Sequence, residues 1–320
     1  MPVMFLQAQQ NLVVNGDMEL YSDCPLSESG PFQNPKEIEK CIGWKAPTYG
    51  TSDYFNVCAT NPTISVPVNS MGEQMPHSGN GYLGGYLNSY EGGAGYDGYN
   101  GIMWWEYIQG ETVKPLEQGR IYKFSMEISL AEYSDLMINE VGVYFSNSAI
   151  SSPNTAALSV IPQLVFHNPN YFTDTANWIH LETLFLSQGG EQFLNIGNFR
   201  NNVTTDTLRR YNYEPLIINP YVTYMYIDNV VISEAQDLGI FSNVFTPNDD
   251  GINDFWTLAL SGGIEAKVTI MNRWGNQIYE SQLNNFSWDG KLDDGNLCSE
   301  GVYFYKISDT NITGFIQLVR

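Results

Sequence analysis

The chain has 320 residues, 43% of them hydrophobic and 14% aromatic, with 21 Tyr, 16 Phe and 7 Trp. A sequence so rich in aromatic residues folds, because disordered chains lack the groups that bury surface, and the length favours about two domains. Its 35 acidic against 14 basic residues give a net charge of −21, which repels phosphate backbones and anionic lipid and excludes nucleic acid as a partner.

Along the chain, residues 1–9 begin M-P-V-M-F-L-Q-A, the apolar stump of a signal peptide without its cationic start. The mature chain is expected to begin near Gln9. The segment 79–107 is crowded with Gly and with Tyr82, Tyr86, Tyr90, Tyr96, Tyr99, Trp104, Trp105 and Tyr107. Sugar rings lie with their C–H face on an aromatic ring while polar groups bond the hydroxyls. Tyr96, Tyr99, Trp104 and Trp105, with Asp97 and Asn100, are therefore the candidate ligand-binding residues. One residue of a Trp pair on a strand must point inward, since neighbours alternate faces.

Period-two alternation of apolar and polar residues predicts strands at 121–129, 141–145, 179–185 and 222–232. A polar joint at 234–239 separates them from further strands at about 265–271, 276–281, 302–307 and 314–319. Helical periodicity is nearly absent, no apolar run is long enough to span a membrane as a helix, and no repeat appears. The expectation is an all-β protein with two domains, 10–236 and 240–320, the second a small Ig-like β-sandwich.

Four blocks close the chain in order: F-T-P-N-D-D-G-I-N-D-F-W at 245–256, N-R-W-G-N-Q-I-Y-E at 272–280, W-D-G-K from Trp288, and C-S-E-G-V-Y-F-Y-K-I from Cys298. This series resembles the gliding-motility-associated C-terminal domain of Bacteroidetes, the type B sorting signal of the type IX secretion system. The resemblance implies export across the outer membrane, to the cell surface or the medium. It also implies that residues 240–320 are read by the type IX translocon and by an outer-membrane partner protein.

N-G-D-M-E at 15–19 and Y-I-D-N-V-V at 226–231 resemble the bracketing strands of carbohydrate-binding-module jelly rolls. G-W at 43–44, D-Y-F-N at 53–56, P-H-S-G-N at 76–80 and W-E-Y-I at 105–108 are similar to a Bacteroidetes surface domain. The first likeness implies a jelly-roll β-sandwich for 10–236, and a Ca²⁺ site where acids of the first and last strands meet: Asp17 or Glu19 with Asp228. Ca²⁺ seeks six to eight oxygens. Asp249, Asp250 and Asp254 form a second candidate, although Asn and Asp also make tight turns by bonding their own backbone.

Cys24, Cys41 and Cys58 lie within thirty-five residues, and in a chain bound for an oxidising space they suggest one disulfide. Cys24–Cys58 is favoured, with Cys41 and Cys298 free or paired across domains. Enzyme motifs are weak. His77, His167 and His180 are scattered, neither H-E-x-x-H nor G-x-S-x-G occurs, and the carboxylates of Glu106, Glu132 and Asp135 have no spacing that marks a glycosidase. The expected function is a non-enzymatic surface protein that binds a glycan or another surface component. A structural subunit of a surface assembly is the alternative, and a small glycan-active enzyme the lesser one.

Overall fold

The computed structural model describes residues 10–30, 33–89, 105–200, 204–210, 222–235, 243–258, 266–283, 286–308 and 313–320. The regular structure there is strand, apart from one 3-10 turn at Glu37–Lys40. The chain forms two compact units. The first runs to Ser233, except that the stretches Glu117–Lys123 and Thr183–Gly189 fall with Glu234–Arg320 in the second.

Two five-stranded sheets make up the first sandwich. Their strands are β1 (Trp44–Lys45), β2 (Asp53–Asn56), β3 (Gly81–Ser89), β4 (Ile108–Glu111), β5 (Ile121–Leu130), β6 (Glu140–Ser146), β7 (Leu164–His167), β8 (Ile179–Leu186), β9 (Phe193–Gly197) and β10 (Val222–Glu234). One sheet has the order β1-β4-β9-β6-β7 and the other β8-β5-β10-β3-β2. Phe124, Met126 and Ile128 alternate along β5 and are fully buried. Phe124 meets Phe145 and Phe166 of the opposite sheet, with ring centroids 6.1 and 6.0 Å apart, which closes the sandwich.

Alternation implies that the other face of β5 is wet, yet Ser125, Glu127 and Ser129 are buried too. The cause is the segment 57–80, which covers that face. Its Ile64 and Met71 pack on Phe55, Tyr82, Tyr224 and Tyr226 to form a second core. Tyr82 and Tyr226 meet edge to face at 5.0 Å, and their hydroxyls find partners in Gln74 O (3.1 Å) and Asn69 Oδ1 (2.8 Å), as buried Tyr requires. A disulfide joins Cys24 to Cys58 at the start of this covering segment, with a Cα–Cα distance of 5.8 Å. Cys41 and Cys298 are buried and free.

The start of the chain runs beside β10: Leu12 N–H donates to Ile232 O at 2.7 Å, and Val230 N–H to Gly16 O at 2.8 Å. A Cβ on Gly16 would lie 2.0 Å from Val230 O, so only glycine allows this approach. Both ends of the first unit thus run side by side, and Glu19 and Asp228 come to the same loop.

In the second unit the strands are β11 (Val244–Phe245), β12 (Trp256–Leu258), β13 (Lys267–Met271), β14 (Gln277–Gln282), β15 (Phe286–Trp288), β16 (Gly301–Ile307) and β17 (Thr313–Leu318). A sheet of order β11-β17-β16-β13-β14 packs against the pair β12-β15. Phe245, Trp256, Trp288, Tyr303 and Tyr305 of the closing sequence blocks lie in its core, while Phe255, Trp274 and Phe304 are exposed. Trp256 pairs with Trp288 in register and lies 4.9 Å from Tyr305, while Trp288 lies 5.3 Å from Tyr303 and 5.2 Å from Phe245. The blocks are therefore what holds this small sandwich together.

Candidate functional site

Of the expected sugar platform, Tyr96, Asp97, Tyr99, Asn100 and Trp104 lie outside the described residues. Trp105 needs correcting: it is 2% exposed and packs with Tyr107 and Leu158 under half-buried Val160 and Phe199. Its ring fills a core and offers no face to a ligand. Glu106 is equally enclosed. It accepts from the amides of Thr51 (2.6 Å) and Tyr86 (2.9 Å) and from the Thr51 hydroxyl. Beside it, burial first and the Glu106 charge second hold the Asp53 carboxyl well above the usual range. Burial lowers the pKa of Lys36, whose ammonium donates to the carbonyls of Thr48 (3.0 Å) and Gly50. These groups tie segments together and do not face solvent.

Glu19 and Asp228 grip one loop from two sides. Asp228 Oδ2 accepts from the amides of His77 (2.9 Å) and Ser78 (3.2 Å). Glu19 Oε1 accepts from those of Asn80 (2.6 Å) and Gly81 (3.1 Å). Gly79 sits between them at φ +65, where a Cβ would lie 2.2 Å from Glu19 Cδ. Burial pushes the Asp228 carboxyl up to about 7, against the pull of its amide donors, and the Glu19 charge adds to the rise. Asp17 is exposed. Among the described residues no three His, Cys, Asp or Glu side chains form a group that could hold a metal ion. All four oxygens of the pair accept N–H donors, Glu19 Oε2 from the Asn80 side chain at 2.8 Å and Asp228 Oδ1 from the Asn229 amide at 2.6 Å.

The second metal candidate is a self-satisfied turn. Asp254 accepts from the amides of Asn248 (3.0 Å), Asp249 (2.7 Å) and Gly251 (2.8 Å), and Asp250 from that of Ile252 (2.7 Å). Asp249 and Gly251 have φ +63 and +82, the left-handed region that Asn, Asp and Gly tolerate.

Two histidines that look scattered in sequence converge. His180 Nδ1 lies 2.6 Å from Glu127 Oε1 and its Nε2 3.3 Å from Glu182; His77 Nε2 stands 4.0 Å from the same Glu127 oxygen. The hydrogen bond to Glu127 raises the pKa of His180. Nothing in the spacing of residues 77, 127 and 180 signals this, because the meeting depends on the covering segment and on the pairing of β5 with β8.

A pocket of about 260 Å³ opens at the edge of the first sheet, with Glu39, Lys45, Gln109, Glu111 and Phe193 among its walls. Register builds it. Lys45 stands opposite Gln109 and Gln109 opposite Asn195, while Glu111 stands opposite Phe193 in the next row of the same face. Ile108, with its partner Ile196, turns to the core on the alternate positions and is fully buried. None of these residues was a sequence candidate. Glu39 lies in the 3-10 turn and the others in strands of two to five residues, too short for periodicity to mark a face.

Residues 239–318 match the family model described as the CHU_C Type IX secretion signal domain. The chain carries that domain, which marks a type IX substrate exported across the outer membrane. No curated protein matches the chain. Among solved structures it is similar to the CBM22-1 xylan-binding domain of a Paenibacillus barcinonensis protein, with 11% identity, 72% of this chain and 99% of that one covered, and a TM-score of 0.32. It is also similar to a cleaved adhesin domain of Lys-gingipain from Porphyromonas gingivalis, with 14% identity, coverage of 60% and 90%, and a TM-score of 0.30. A third likeness is to the adhesin domain of Epf from Streptococcus pyogenes, with 10% identity, coverage of 98% of both chains, and a TM-score of 0.27. Among the described residues no helix is long and apolar enough to cross a membrane.

Proposed function

We propose that the protein is a type IX cargo that acts at the cell surface as a non-enzymatic binding protein. Its first unit recognises a glycan, and its C-terminal domain is read by the secretion machinery and by an outer-membrane partner. The observation that carries the proposal is the type IX signal domain at 239–318; a protein delivered by that route meets its ligands outside the cell. Binding rather than catalysis is supported by the state of the carboxylates singled out for chemistry. Glu106 is enclosed and hydrogen-bonded, and Asp135 accepts the amide of Val222 at 2.7 Å. Neither is poised to exchange a proton with a substrate.

Calcium belongs to this reading at Glu19 and Asp228, where it would neutralise the pair and brace the loop 77–81. It is a structural ion there, with no step of chemistry assigned to it.

The test is a glycan-binding screen on the full chain, run in calcium and again in chelator, beside export of a chain lacking residues 240–320. Saccharide binding by the full chain, with the truncated chain retained in the periplasm, is the expected result. A folded protein that is silent across the screen but associates with itself or with another surface protein would replace glycan recognition with a structural role. Secretion of the truncated chain would overturn the role of the C-terminal domain.

A further inference from the structure

In the second unit, the face of the sheet turned away from β12-β15 is apolar where water alone would favour polar residues. Alternation along β16 sends Tyr303, Tyr305 and Ile307 into the core and leaves Val302, Phe304 and Lys306 exposed. Register carries the exposed set across the sheet. Phe315 of β17 stands opposite Phe304, and Phe304 opposite Met271 of β13. In the next row Val302 stands opposite Gln317, and Gln317 opposite Val244. Phe304 and Phe315 are 44% and 48% exposed. Single exposed apolar residues are ordinary, but adjoining ones mark a surface that another molecule covers.

Trp274 is 76% exposed in the turn between β13 and β14. Asn272 Oδ1 accepts the amides of Trp274 and Asn276, both at 3.0 Å, and Gly275 has φ +80. Turn chemistry therefore accounts for Asn272 and Gly275 in the block N-R-W-G-N, and leaves Arg273 and Trp274 without a structural task. The Arg273 guanidinium lies 5.5 Å from the Trp274 ring centroid. A recess of about 440 Å³ opens beside them, with Leu297, Glu300 and Val302 also among its walls. Val302 thus belongs to both the recess and the sheet face.

Two cations flank the apolar rows: Lys306 on the Thr269 side of Phe304, and Arg273 two positions beyond Met271. Neither takes part in an ion pair among the described residues, in a chain with 35 acidic residues. The nearby carboxylates are engaged elsewhere. Glu280 accepts from Lys267 at 2.9 Å and from Thr269 Oγ1 at 3.2 Å, and Glu300 from the Arg320 amide at 2.7 Å.

We infer that this face and its recess are the docking surface for a protein partner that presents an apolar segment flanked by carboxylates; the inference rests on the reading above that the C-terminal domain is recognised by other proteins, and gives that recognition a place and a chemistry. Exposed Trp and Arg beside a recess are the residue types that dominate binding energy at protein interfaces, and a guanidinium fits a carboxylate with two hydrogen bonds. A second copy of the chain fits poorly, because a two-fold contact sets one patch against itself and would bring the cations together. An anionic lipid surface is opposed by the net charge of −21.

The experiment has two readouts on the full chain. In solution, amide shifts at 271–274, 302–306 and 313–317 are followed by NMR during titration with a synthetic peptide that has leucine and phenylalanine at its centre and glutamates at both ends. Its counterpart ending in lysines and vesicles of phosphatidylglycerol are titrated in parallel. In the bacterium that exports the chain, the fraction outside the outer membrane is measured. Both are repeated on Phe304→Thr with Phe315→Thr, and on Arg273→Glu with Lys306→Glu. Ile161→Ser, at an exposed position of the first unit, is the control, and melting temperature reports folding.

The glutamate peptide should bind at least about tenfold more tightly than the lysine peptide. The Phe pair, replaced by a residue that suits strands, should lose about tenfold of that binding. The charge-reversed pair should prefer the lysine peptide, and it tests the surface by itself should the Phe pair misfold. Both pairs should lower export about tenfold, with the melting temperature unchanged.

Equal binding of the two peptides would overturn the partner's chemistry. Vesicle binding that the Phe pair abolishes would replace the protein partner with a membrane. Normal export by both pairs, with the chain lacking residues 240–320 retained, would overturn this surface and leave the C-terminal reading intact. Export of the truncated chain would sink both.

Discussion

Two carboxylates, one in each unit, do the same chemistry across very different stretches of chain. Asp254 accepts amides from residues three to six positions away, inside a turn complete in itself. Asp228 accepts amides from His77 and Ser78, which lie 151 and 150 positions away, and it can do so only once β10 and the covering segment are in place. The lesson is one of reach. Where a polar group is satisfied locally, losing it loosens one turn. Where it is satisfied across the fold, losing it weakens the whole unit, because the closure of long loops depends on it.

Four measurements would break or sharpen this contrast. The largest effect is expected from Trp105→Ala in the first unit. Its ring sits in a core that joins β4 to the segment around Leu158, and truncation should destabilise by about 3–5 kcal/mol. A denaturant midpoint unchanged from wild type would show that the ring faces solvent after all. Next, Cys24→Ser with Cys58→Ser removes a link across a sequence separation of 34, expected to cost about 3–4 kcal/mol in the chain-entropy account. Comparing oxidised and reduced protein by calorimetry checks this, and the loss should fall on the transition of the first unit, which holds both cysteines, if the two units unfold separately.

Asp228→Ala leaves two loop amides without their acceptor and should cost about 1–3 kcal/mol, visible as a fall in global stability. If only the amides of 77–81 exchange faster, the clasp is as local as the acidic turn. The smallest effect belongs to Asp254. Burial raises its pKa, but the amides of Gly251, Asp249 and Asn248 outweigh this and bring it below the ordinary value. A carboxyl lowered in the folded state stabilises above its unfolded pKa, about 3.9, and that contribution fades as pH falls through the lower folded value. The protection of the 248–251 amides, their exchange measured relative to the intrinsic rate at each pH, should therefore fall on acidification below about pH 4 and be flat above it, and the Asp254→Asn variant should lose that pH dependence.

Calcium offers a further reading of the same contrast. An ion at Glu19 and Asp228 should raise the melting temperature of the full chain relative to chelator, while Asp250→Asn in the acidic turn should leave that difference unchanged. A calcium shift abolished by the change in the turn instead would move the ion to the second unit.

The sequence by itself determined the all-β class, the motif blocks of the C-terminal domain and the self-contained turn at 248–254. The physical reason is that side-chain alternation, turn chemistry and core aromatics at short spacing are properties of neighbouring residues. Only the tertiary structure decided that Trp105 is core, that 57–80 covers the second face of a sheet, and that His77 and His180 share Glu127. It alone assembled Lys45, Gln109, Glu111 and Phe193 into one pocket, because strand register joins residues whose separation along the chain carries no signal.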